Sequence, residues 1–160
     1  MFTEIHGLPV HPLAVHAAVV FVPLAALMGI LFAVPRTRAW SRVPLLLVSL
    51  AAVVAVFVAR QSGFKLKDHL AEGNFTYLNL VDEHQSRANL LFVFVIIFAV
   101  VAIAAFFLTR SADTNQAVAM VLSVILVVGA VAIAFQTYRV GDLGSKIVWN
   151  PDGKQSFSSG

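Results

Sequence analysis

Four uninterrupted apolar runs, at about residues 12–34, 43–59, 88–108 and 115–136, constrain this chain more than any other feature. A helix that crosses the hydrocarbon layer of a bilayer takes roughly 20 apolar residues, and each run is of that order. The strands of a membrane barrel are about half as long and alternate in polarity, which none of these runs does. Only 12% of the 160 residues are charged and 59% are apolar, whereas a soluble domain carries roughly a quarter charged residues. The expected fold is therefore all-α: an integral membrane four-helix bundle, up-down-up-down, over residues 1–149, with a flexible C-terminal tail over 150–160. No length remains for a separate soluble catalytic domain.

The punctuation of the runs supports this layout. Pro12 suits a helix start, Pro23 predicts a bend inside the first span, and Trp40 can anchor the second at the headgroups. The run Asp82-Glu83-His84-Gln85 reads as a capping box that opens the third helix and sets His84 in its first turn. Residues 60–84 are the one long connection, and their mixture of Phe64, Leu66, Leu70, Phe75 and Tyr77 with charges predicts a short interfacial helix. After the fourth span come Gly141 and Gly144, an apolar Ile147-Val148-Trp149, and the turn-like Asn150-Pro151-Asp152-Gly153. No Lys or Arg precedes the first span, so no cleavable signal is expected. Arg36, Arg38 and Arg42 in the first short loop place that loop in the cytoplasm by the positive-inside rule, and both termini outside.

The scarce polar residues are the functional lead. Helices one and three of such a bundle run in the same direction, so His6, His11, His16, His69 and His84 all fall on one membrane face. His16, about a turn inside an apolar helix, needs a partner for its ring, and His84 sits at comparable depth on a parallel helix. Two imidazoles so placed suit bis-histidine ligation of a b-type haem, with Arg60, Arg87 and Arg139 available to its propionates. The plainer reading has His16 hydrogen-bonded to a backbone carbonyl and His84 as an ordinary first-turn residue. A Zn or Cu site from His11, His16 and His84 is a further reading. His6 and His69 read as solvated or interfacial. Asp82 reads as a cap, and Glu83 as an ion pair with Arg87 one turn on.

Other chemistries find no residues to carry them. The absence of cysteine removes disulfides, thiolate metal sites and thiol catalysis. The serines lack a base at a diagnostic spacing, and there is no phosphate-binding glycine loop. Ser49 and Ser123 are isolated polar groups in spans without charge, a poor basis for transport. The net charge of +3 is scattered among loops rather than massed for nucleic acid. Gly29, Gly129, Ala130 and Ala134 suit close helix packing, while Phe92, Phe94, Phe98, Phe106 and Phe107 read as lipid- or partner-facing.

The opening Val10-His11-Pro12-Leu13-Ala14-Val15-His16 resembles the His-Pro-x-x-Val-His start of the bacterial membrane proteins grouped as domain of unknown function 2231. The resemblance extends over roughly residues 9–149: His84 matches a histidine often found at the head of the third span. The stretch from Gly141 to Trp149 is similar to a family segment that commonly reads Gly-His-Leu-Gly-Gly, with Asp142 standing here in place of the histidine. The resemblance implies a small four-helix protein of the bacterial inner membrane, without an activity to carry over. By elimination, the expected role is a non-catalytic accessory or assembly subunit, in contact with the lipid bilayer and with other membrane subunits. The alternative is a haem- or metal-binding redox module built on His16 and His84.

Overall fold

The computed structural model describes residues 4–5, 8–73, 75–111 and 115–156. After a two-residue antiparallel pairing of β1 (Glu4–Ile5) with β2 (Leu8–Pro9), four helices follow: α1 (Val10–Ala33), α2 (Arg38–Glu72), α3 (Leu78–Leu108) and α4 (Gln116–Trp149). All four are long and apolar enough to cross a membrane. Each packs mainly on its two neighbours in the cyclic order α1, α2, α3, α4, which makes a square bundle with α1 facing α3 across the diagonal. The protein is thus an all-α membrane bundle, as its apolar runs predict.

Large apolar side chains cover the outside, with Val54, Val128 and Val131 all above 60% exposed. The inside is small: Ala25, Ala52, Ala102, Ala105, Ala119 and Ala130 are buried between the helices, with Val22, Phe32, Leu45, Val95, Leu126 and Ile133 filling the remaining space. Lipid is as apolar as leucine, so close backbone approach rather than hydrophobic contrast holds such helices together. Gly29 and Gly129 show how close that approach is. A Cβ at either would lie 2.8 and 2.9 Å from the Phe98 ring, which is buried between α1 and α4. Phe98 is therefore a core residue, not a lipid-facing one, and Phe92 and Phe94 pack against the core, whereas Phe107 does face outward. Of the small residues assigned to packing, Ala134 is exposed.

Helices α2, α3 and α4 overrun their apolar stretches. At 1.5 Å per residue, the 35-residue α2 is about 52 Å long, well beyond a hydrocarbon layer of about 30 Å. Three expectations are corrected by this. Residues 60–84 are not a long connection with a separate interfacial helix; α2 continues to Glu72 and the connection is short. Asp82 is not a cap, because Tyr77 precedes the helix, and the Asp82 carboxylate instead accepts from Lys67 Nζ at 2.6 Å. His84 lies in the second turn of α3, and Gly141, Gly144 and Trp149 belong to α4. A helix closes its own hydrogen bonds and need not end where the hydrocarbon does. Leu66 and Leu70 of that extension line a cavity together with the extended end of α4.

Polar side chains close the opposite end. Thr37 Oγ1 donates to the Leu31 carbonyl, and Arg38 reaches the Phe32 and Ala33 carbonyls at 3.2 and 3.5 Å and Ser123 Oγ at 3.3 Å, so the last turn of α1 is satisfied by the loop that follows it. The helix itself is continuous through Pro23.

Candidate functional site

Helical phase decides which histidine enters the bundle. Along α1, His11, Val15, Ala18, Val22, Ala25, Gly29 and Phe32 recur at alternating steps of four and three, and the last four are buried. Along α3, His84, Ala88, Leu91, Val95, Phe98, Ala102 and Ala105 repeat the pattern, buried from Leu91 onward. Such spacing returns to one face every two turns. Each inward stripe therefore opens with a histidine. The two rings meet across the diagonal, with centroids 6.3 Å apart and planes at 87°.

A glycine backs each ring. A Cβ at Gly63 of α2 would lie 3.1 Å from His11 Cε1, and one at Gly144 of α4 would lie 3.2 Å from His84 Cε1. The α1–α2 hairpin thus supplies one histidine and its seat, and the α3–α4 hairpin supplies the other pair. His11 Nδ1 lies 2.9 Å from the Ala59 carbonyl. A carbonyl only accepts, so Nδ1 carries the proton and the lone pair of the neutral ring is left on Nε2. His84 differs: its Nδ1 is buried and makes no close hydrogen bond among the described residues, although the Val140 carbonyl of α4 faces the ring.

A cavity of about 550 Å³ surrounds the pair, within the size range of small-molecule and cofactor sites. All four helices line it. Val15, Ala18, Val56, Leu66, Leu70, Leu91, Val140 and Trp149 make it predominantly apolar. The polar exceptions include Arg60, Lys67 and Gln85, and Gln85 Oε1 is a second buried atom without a partner. Buried polar atoms are ordinarily hydrogen-bonded, and the cavity offers these two to a bound water or ligand.

The other sequence candidates lie elsewhere. His16 is on the cavity rim but exposed, and its Nδ1 is bonded to the Pro12 carbonyl of its own helix. It shares a face with Val20, Pro23, Leu27 and Ile30, all exposed, so His11 and not His16 is the residue whose ring meets that of His84. The phase of Ala25, Gly29 and Phe32 points to His11, whereas depth along the apolar run points to His16. Arg87 pairs with Glu83, as its spacing predicts, and Arg139 stacks over Phe135 at 5.9 Å; neither lines the cavity. His69 is exposed, and His6 lies outside the described residues.

The pair has a definite chemical capacity. An ion bound in line by one nitrogen of each ring, at about 2.0–2.1 Å, would set the centroids about 6 Å apart, the separation found here. Among the described residues no three His, Asp or Glu side chains gather as a ligand set. Two imidazoles alone suit an ion whose remaining positions are filled by its own macrocycle better than an ion held wholly by protein. In the comparisons, the family model for "Predicted membrane protein (DUF2231)" matches residues 7–154. No curated protein and no solved structure matches the chain.

Proposed function

Because the chain belongs to the DUF2231 family of predicted membrane proteins, a description without an activity, we propose from its geometry that it is a redox module holding a b-type haem between His11 and His84. The observation that carries this reading is the ring pair, 6.3 Å between centroids, at the head of two inward stripes and inside a cavity of about 550 Å³. Haem supplies reversible one-electron chemistry when bound. The chain's own contribution is to hold and to exclude. The Ala59 carbonyl fixes the His11 tautomer, Gly63 and Gly144 let the rings sit against the helix backbones, and the apolar wall lowers the polarity around the site. No described residue is thereby assigned a catalytic step, and the role is that of an electron carrier.

An accessory-subunit role rests on the outward apolar faces, which a bilayer covers without any partner, so it draws on no feature of this site. The charge distribution supports an orientation. The histidine end balances seven Lys and Arg against seven Asp and Glu, while the opposite end holds Arg36, Arg38, Arg42 and Arg110 against Asp113 alone. Orientation follows Lys and Arg beside the first span rather than net charge: none precedes α1, and Arg36, Arg38 and Arg42 follow it. We propose that this local bias sets that end in the cytoplasm and the histidine site on the outer side of a bacterial inner membrane.

The test is an absorption spectrum of protein purified in mild detergent from haem-supplied cells. A Soret band is expected in the wild type and in His16→Ala, and its loss in His11→Ala and His84→Ala. A wild type that is folded and monodisperse, yet colourless even after titration with haem, would overturn the reading.

A further inference from the structure

Arg60 follows Ala59, the residue whose carbonyl holds His11, and it lines the same cavity. Its guanidinium is fixed from three sides. Nε donates to Asn89 Oδ1 of α3 at 2.6 Å, and Cζ lies 4.8 Å from the centre of the Phe64 ring and 5.4 Å from that of Phe92. The residue is half-buried, yet among the described residues no carboxylate lies within ion-pair distance of it. At the same end Lys67 pairs with Asp82, Arg87 with Glu83 and Lys146 with Asp142, while Arg139, over Phe135, does not line the cavity.

A partly desolvated cation without a counter-ion is unfavourable unless something else supplies the negative charge. A rigid guanidinium with its terminal nitrogens uncommitted presents the fork that accepts both oxygens of a carboxylate. Asn89 and the two aromatic rings remove the side chain's freedom in advance, so little ordering is left to be done on binding.

We propose that Arg60 is the acid receptor of the cavity and binds a carboxylate of the ligand held by His11 and His84. The inference rests on the haem reading, in which those carboxylates are the propionates, and it defines the ligand class: a flat apolar body with at least one acid group. It also replaces Arg87 and Arg139 in that role.

The experiment titrates ligand-free wild type, Arg60→Gln and Arg60→Lys with haem and with haem dimethyl ester, whose acids are masked, and follows the Soret band. The wild type is expected to prefer the free acid by about tenfold or more, the scale of a hydrogen bond to a charged group. Arg60→Gln should lose that preference by weakening the acid form alone, and Arg60→Lys should keep part of it. Equal binding of acid and ester by the wild type, or an undiminished preference in a folded Arg60→Gln, overturns the role of Arg60 and leaves the histidine pair intact. If Arg60→Gln does not fold, the wild-type comparison of acid with ester decides alone. A wild type that develops no Soret band with either compound overturns the haem reading, and this inference with it.

Discussion

Gln136 shows how few polar contacts tie these helices together. It is 2% exposed, and its Nε2 donates to the Arg87 carbonyl at 3.0 Å, linking α4 to α3 at the level where the cavity begins. That carbonyl belongs to a helix turn and is not orphaned by the loss of the amide. Gln136→Leu is accordingly expected to cost only about 0.5–1 kcal/mol, measured as a shift in unfolding in mixed micelles. The same scale explains what the sequence revealed of the site. That the histidines gather on one face was legible from the number of crossings alone. That Arg60 and not Arg87 faces the cavity was not, because Arg87 has Glu83 one turn away and Arg60 is committed to Asn89 of a different helix. Partners on another helix leave no trace in local spacing.

At the level of the element, α1 and α4 approach Phe98 closely enough that glycine is needed on both. Gly29→Ala or Gly129→Ala would drive a methyl to within 2.9 Å of a ring enclosed on both sides. A cost of about 1–3 kcal/mol is expected for either, as a lowered Tm in detergent, with recovery when Phe98→Leu is added. A full recovery would locate the strain in that ring, and an unchanged Tm would show that the helices move apart freely. The four helices themselves were legible because twenty apolar residues in a row admit few structures. Their true ends were not. Hydropathy marks the part of a helix that lipid touches, whereas Arg60 to Glu72 of α2 and Tyr138 to Trp149 of α4 continue the helices past it, with part of their length lining the cavity.

For the whole molecule, the uneven charge of the two ends makes orientation testable. The chain has no cysteine, so single cysteines introduced at Gly153 and at Arg36 report independently. A membrane-impermeant thiol reagent on intact cells is expected to label the first and not the second, and the reverse pattern would place the site in the cytoplasm. Seen as a whole, the square bundle is two hairpins laid side by side, and each contributes one ring and one glycine to the centre. A molecule gripped by both rings would therefore be a clasp between halves that close contact of small residues and a few polar links, Arg60 with Asn89, Lys67 with Asp82 and Arg38 with Ser123, otherwise hold. With the proposed ligand, occupancy and architecture would become one equilibrium: the tighter the grip, the less the two hairpins could part, and a membrane short of ligand would hold a looser protein.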